Sequence, residues 1–184
     1  MLYKTKLILI IFMIFFLKTN VSAEYDKLAY DFKFTDLDGT NMNLSEFKDK
    51  IILVVNVASQ CGFTKQYEGM QKLWENYQKK GLIVIGVPSN DFGNQEPGSN
   101  EEIKNFCVSK FNISFPMTEK EIVIGEKAHP FYKWAKKNFG KSSVPKWNFH
   151  KIVIGKDGKI LKTFNSFTKP SSTKFTKYIS NLLE

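Results

Sequence analysis

The sequence predicts an α/β fold, and three observations carry the prediction. Ile51-Ile52-Leu53-Val54-Val55 and Leu82 to Val87 are continuous apolar runs, the composition of strands buried on both faces. Between them Met70, Leu73, Trp74 and Tyr77 fall at i, i+3, i+4 and i+7, the stripe of an amphipathic helix. Gly81 stands just before the second run, where a helix C-cap belongs. Strand, helix and strand in this order make a right-handed parallel βαβ unit.

The other elements follow along the chain. Residues 1–23 read as a signal peptide: Lys4 and Lys6 form a positive start, Leu7 to Leu17 is uninterrupted apolar, and Val21-Ser22-Ala23 offers the small residues a signal peptidase reads. Such a run is too short for the about 20 residues that span a bilayer. The expectation is therefore cleavage, export to a periplasmic or extracellular compartment, and no stable membrane insertion afterwards, with a leader kept as an uncleaved anchor as the alternative. Residues 24–184 then form one domain of 161 residues, enough for a core of its own. Tyr30 to Thr35 reads as a short strand, turned by Asp36-Leu37-Asp38-Gly39, and Leu44 to Phe47 as one helical turn. A strand over 51–57 and a helix over 65–80 come next. Ser99 caps a helix running to Lys110, with Glu101 and Glu102 in its first turn. Glu121 to Ile124 reads as a short strand, Pro130 to Asn138 as a helix. Ile152 to Ile154 and Ile160 to Phe164 read as a hairpin around Gly155-Lys156-Asp157-Gly158. The last helix starts near Pro170-Ser171-Ser172 and buries Phe175, Tyr178, Ile179 and Leu182.

All 27 basic residues are lysine, and the chain has no arginine. That argues against bidentate phosphate or carboxylate clamps. Three lysines and no acid lie in the leader, so the formal charge falls from +9 to +6 on its removal. The remaining lysines are scattered, which describes a solvated surface rather than a nucleic-acid stripe.

Chemistry is concentrated in Asn56-Val57-Ala58-Ser59-Gln60-Cys61-Gly62-Phe63-Thr64. A lone cysteine is ordinarily a small core hydrophobe. Here Asn56, Ser59, Gln60 and Gly62 are poor core material, so the loop is expected to be exposed or to line a cleft. It leaves a buried strand at the carboxyl edge of the sheet, where open α/β folds place their sites. It also puts Cys61 near a helix N-terminus, whose partial charge favours thiolate over thiol. The polar loop 89–98 leaves the same edge and should be its neighbour. In an exported chain, Cys61 and Cys107 would ordinarily form a structural disulfide. A domain of this size needs no such staple, and a pair that cycles between thiol and disulfide fits better. Ile103, Phe106 and Cys107 lie at i, i+3 and i+4, which puts Cys107 on or beside the apolar face of its helix. Zinc ligation by Cys61, Cys107, His129 and His150 lacks ligand-pair spacing, and no metal or other cofactor is expected.

Three segments in register resemble the glutathione peroxidase family, a branch of the thioredoxin-fold superfamily. They are Asn56 to Gly62, Phe92-Gly93-Asn94-Gln95-Glu96-Pro97-Gly98-Ser99, and Lys146-Trp147-Asn148-Phe149. Phe115-Pro116-Met117, His129-Pro130 and Thr168-Lys169-Pro170-Ser171 add weaker support, and the resemblance covers about residues 27–184. It implies a thioredoxin-like fold, with a central mixed β-sheet flanked by helices on both faces. It also implies a thiol peroxidase acting on hydrogen peroxide or organic and lipid hydroperoxides. Cys61 matches the catalytic position, Gln95, Trp147 and Asn148 the other active-site positions, and Cys107 the resolving cysteine of thioredoxin-using members. Asn90-Asp91-Phe92 departs from the more usual Asn-Gln-Phe, and the charge of Asp91 would make a thiolate harder to form. Ser89 stands where many relatives carry a further cysteine. The short segment Lys136 to Lys146, where tetrameric relatives are longer, implies a monomer or loose dimer.

On this reading Cys61 becomes a sulfenic acid. Cys107 resolves it, which requires its helix to open, and a thioredoxin-like protein or glutathione restores the thiols. The missing arginines favour the protein reductant. Two alternatives share the chemistry: a redox sensor that passes oxidation to a partner protein, and a thiol-disulfide oxidoreductase of the same fold. The second would want Cys-x-x-Cys, and Thr64 occupies the second position.

Overall fold

The structure, a computed structural model, describes residues 25–184. The expected leader lies outside them. A four-stranded sheet holds the chain together, its strands in the spatial order Leu82–Pro88, Ile51–Val57, Lys151–Ile154 and Ile160–Phe164. Its strands are β3 (Ile51–Val57), β4 (Leu82–Pro88), β5 (Lys151–Ile154) and β6 (Ile160–Phe164), preceded by the small hairpin β1 (Lys33–Thr35) and β2 (Asn41–Asn43). β3 pairs with β4 in parallel and with β5 antiparallel, so the sheet is mixed. The helices are α1 (Gln66–Tyr77), α2 (Asn100–Phe111), α3 (Pro130–Phe139) and α4 (Thr173–Leu183).

Alternation along β3 divides the interior into two clusters. Ile51, Leu53, Val55 and Val57 join Met70 and Leu73 of α1, Ile103 and Cys107 of α2, and Phe175 and Ile179 of α4. Ile52 and Val54 face the other way, onto Phe34 of β1 and Phe131, Tyr132, Trp134 and Ala135 of α3. Period-two side chains on a strand covered on both faces produce this continuous apolar spelling. The expectation of helices on both faces holds.

The β1–β2 turn is closed by Asp36, whose Oδ1 accepts from the N–H groups of Asp38 and Thr40. Gly39 sits there at φ +81° and Gly81, after α1, at φ +99°, conformations that glycine adopts without a Cβ penalty. Ser99 and Glu102 form a reciprocal capping box at the start of α2.

Three expectations are corrected. The first strand is shorter than Tyr30–Thr35, because Ala29–Asp31 is a 3-10 turn. α1 ends at Tyr77, and residues 78–80 continue as a 3-10 turn. Glu121 to Ile124 is not a strand: the N–H groups of Val123 and Ile124 donate to the Asp91 carboxylate instead of to a sheet. No helix among the described residues is long and apolar enough to cross a membrane.

Candidate active site

β3 and β4 end side by side, with the Ser89 N–H donating to the Val57 carbonyl (3.0 Å), and the loops that follow them are laced together. Gln60 N–H donates to the Gln95 carbonyl (3.0 Å), while Ser59 N–H and Oγ both donate to the Glu96 carboxylate (2.9 and 3.1 Å). Glu96 is buried, and burial raises its carboxyl above the usual range while the two Ser59 bonds oppose the rise. Lys120 Nζ donates to the carbonyls of Glu96, Pro97 and Gly98 in the same loop, and its backbone N–H donates to Asn100 Oδ1 at the start of α2. The expected neighbourhood of the two loops is thus a bonded one.

Cys61 lies in a tight turn that leads into α1. The Thr64 hydroxyl accepts from Cys61 N–H (3.0 Å) and donates to the Ala58 carbonyl (2.9 Å), closing the turn from both ends. Phe63 N–H points at Cys61 Sγ (3.4 Å), an orientation that favours negative charge on sulfur. Cys61 retains 8% exposure at the protein edge, between exposed Gln60 and Gly62.

Asn148 Nδ2 donates to Gln95 Oε1 (3.0 Å), so these two matched positions meet directly. Trp147, 39% exposed, packs against Phe92 with ring centroids 5.9 Å apart. Among the described residues, Gln95 Nε2 and Trp147 Nε1 donate to nothing within the chain. Asn148 Oδ1 is buried and unpaired. A buried amide without a partner costs about 1–3 kcal/mol, which a bound oxygen species or its water would offset.

Asn56 is a correction. Expected to mark an exposed loop, it is buried, and it pins the Trp147–His150 segment. Its Nδ2 donates to Trp147 O (3.2 Å), its Oδ1 accepts from His150 N–H (3.1 Å), and its carbonyl accepts from Phe149 N–H (2.6 Å). Phe149 is held at φ +64°, a conformation costing a bulky residue about 1–2 kcal/mol. Asn56 is what keeps it there. Asp91, expected to burden the site with charge, has its carboxylate engaged by the 123–124 backbone.

Cys107 sits in different surroundings. It lies inside α2, 1% exposed, and both cysteines are free thiols. Burial pushes its thiol up to about 11. The fully buried Tyr67 hydroxyl stands beside it without the alignment of a full hydrogen bond, and the Glu96 carboxylate adds repulsion. A cavity lies on each flank of α2. One, about 570 Å³, is bounded by Trp74, Lys104, Cys107 and Phe115; the other, about 450 Å³, by Gln60, Glu96, Ile103 and Phe106. The larger cavity is therefore not at Cys61. His129 caps α3 and stacks on Phe34, and burial draws it down to about 4. Among the described residues no group of histidine, cysteine and acidic side chains is arranged to hold a metal ion.

Sequence reasoning missed three contributors. Thr64 was legible only as a non-cysteine, Glu96 only as part of a motif, and Lys151 not at all. Lys151 carried one signal: it shares the face of Val153 in a buried strand.

The glutathione peroxidase family model matches residues 29–136. A hydroperoxy fatty acid reductase of Synechocystis sp. is 40% identical over 158 residues, covering 82% of this chain and 94% of its own. Among solved structures, Trgpx in its apo form superposes with a TM-score of 0.69 at 35% identity, covering 86% of this chain and 96% of its own. A thiol:disulfide interchange protein of the thioredoxin family from Chlorobium tepidum, 16% identical with a TM-score of 0.63 over 83% of this chain and 93% of its own, shares the fold alone. The chain belongs to the glutathione peroxidase family and is a thiol peroxidase of the thioredoxin fold.

Proposed function

We propose that Cys61 is the peroxide-reducing residue and Cys107 the thiol that resolves it, with a thioredoxin-like protein as reductant. The observation that carries this reading is the Cys61 turn, which aims the Phe63 N–H at the sulfur and is bonded to the loop that presents Gln95. The Cys61 thiolate takes the terminal peroxide oxygen, and the O–O bond breaks. The leaving oxygen departs as water or alcohol with one proton, leaving a sulfenic acid. Gln95 Nε2 and Trp147 Nε1 are donors suited to the charge that develops on that oxygen, and Asn148 holds Gln95 in place. The Cys107 thiol then attacks the sulfenic sulfur, water leaves, and a disulfide forms. An external dithiol is oxidised in restoring both thiols.

A disulfide holds its two Cα atoms within about 7 Å, and the proposed cycle has Cys107 leave its buried position within α2 to meet the Cys61 sulfur. The thin packing of this helix supports such an opening. Of its twelve residues only Ile103 and Cys107 are buried, and a cavity lies on each flank. The absence of arginine favours a protein dithiol over glutathione. The name of the Synechocystis relative makes fatty-acid hydroperoxides a substrate class to include. The same reading has the domain exported after cleavage at Ala23, which N-terminal sequencing from the native host tests; a mature chain beginning at Met1 refutes it. The deciding assay compares thioredoxin with glutathione as electron donor, with hydrogen peroxide and a fatty-acid hydroperoxide as acceptors. Turnover with glutathione alone would remove Cys107 from the cycle.

A further inference from the structure

A fully buried lysine lies beneath the Cys61 turn. Lys151 opens β5, has no exposed surface, and shares the sheet face of Val153 within the cluster that holds Cys61. Its Nζ donates to Gln66 Oε1 at 2.6 Å. Gln66, the first residue of α1, donates its Nε2 to the Ser166 carbonyl (2.6 Å) and its backbone N–H to the Phe63 carbonyl (2.8 Å). Phe63 in turn directs its N–H at Cys61 Sγ. From ammonium to sulfur the path runs through three hydrogen bonds, Lys151 to Gln66, Gln66 N–H to the Phe63 carbonyl and Phe63 N–H to the sulfur, joined by the covalent frames of Gln66 and Phe63.

We infer that Lys151 is a positioning residue for peroxide reduction, holding Gln66 so that Phe63, fixed at its carbonyl, keeps its N–H on the Cys61 sulfur. The inference rests on Cys61 being the attacking residue. A methionine would fill the same volume without desolvating an amine, so packing alone does not account for a lysine here. Burial draws the ammonium down to about 7, in line with a group retained at a cost. Gln66 is the acceptor found for it within the chain, and Ser166 fixes the other end of the same amide. Two anchors on one amide leave Gln66 a single orientation, and the turn before it inherits that constraint.

The test is stopped-flow oxidation of the reduced enzyme by hydrogen peroxide, with the thiolate absorbance near 240 nm recorded in a Cys107→Ser background. The Michaelis constant for the reductant is measured in parallel. Lys151→Met and Gln66→Met are each expected to slow peroxide oxidation about 10-fold, leaving the reductant constant unchanged. The double variant should be no slower than either single one, because both remove one path. Gln66→Glu keeps the acceptor for Lys151 but loses the donor to the Ser166 carbonyl, so it should recover only part of the loss and run about 3-fold faster than Gln66→Met. Wild-type rates in Lys151→Met, or losses that multiply to about 100-fold in the double variant, overturn the inference. Should Lys151→Met fail to fold, the Gln66 pair decides alone: equal loss in Gln66→Met and Gln66→Glu refutes it. A wild type that does not react with peroxide refutes the peroxidase reading of Cys61 instead.

Discussion

Cys61 and Cys107 belong to one hydrophobic cluster, yet the chain surrounds them in opposite ways. Cys61 sits in a turn closed by the Thr64 hydroxyl, at the protein edge, with a peptide N–H directed at its sulfur. Cys107 sits within a helix with intact backbone bonding, against a buried tyrosine, where desolvation holds the thiol neutral. On the cycle proposed above, the first arrangement prepares a nucleophile in place, and the second stores a thiol that reacts once its helix opens. That proposal divides reactivity between a bonded turn and a thinly packed helix, with local stability and burial of the thiol separating the two roles.

The largest effects should come from exchanging each sulfur for oxygen. Cys61→Ser is expected to lose peroxide reduction entirely, because an alcohol is not ionised at neutral pH. Cys107→Ser should still consume one peroxide per chain and then stop, with the Cys61 sulfenic acid trapped and visible by mass spectrometry after dimedone labelling. Full thioredoxin-driven turnover in Cys107→Ser would erase the proposed division of roles.

Next come the donors around the first site. Gln95→Ala removes the amide that also accepts from Asn148, Trp147→Phe removes the indole N–H, and each should lower the rate of Cys61 oxidation about 100-fold, measured in a single turnover. Disulfide formation after that step should keep its wild-type rate, since neither side chain belongs to α2. A loss confined to the second step would move these residues to the wrong side of the comparison.

A pH experiment sharpens the second site. Burial raises the Cys107 thiol from its ordinary 9.0 to about 11. Folding therefore favours the protonated form, and the associated stability is complete below about 9 and lost as pH rises through about 11. Relative to Cys107→Ser, the wild type should lose about 2 kcal/mol of unfolding free energy between pH 8 and pH 10.5 in urea titrations. Parallel curves would mean that the thiol is already solvated.

The smallest effect belongs to the start of α2. Ser99→Ala removes the capping bond to Glu102 N–H and should loosen the helix by about 1 kcal/mol. Disulfide formation should then run up to about 5-fold faster, if opening limits it. An unchanged rate with a lowered melting temperature would show that another step is limiting.

Strands buried on both faces were legible because burial leaves an uninterrupted apolar spelling, as in Ile51–Val57 and Leu82–Pro88. The caps at Gly81 and Ser99 were legible for a different reason, since each answers a local backbone requirement. Cys61 stood out because it lies in small polar residues between two such elements. Asn56 and Glu121 to Ile124 were misread, each through a partner distant in sequence. Asn56 is satisfied by Trp147 and His150, and the 123–124 backbone by Asp91.

By itself, then, the sequence determined the buried strand-helix-strand unit, the later hairpin, the four helices, the reactive loop and the family motifs. Each of these is written in periodicity, caps or short-range spacing, which neighbouring residues decide among themselves. Tertiary structure alone decided that Gln95 meets Asn148, that Thr64 closes the cysteine turn, and that Lys151 reaches it through Gln66. Polar groups taken out of water must find partners wherever the fold brings them. No local pattern records which distant residue will supply the other half of the bond.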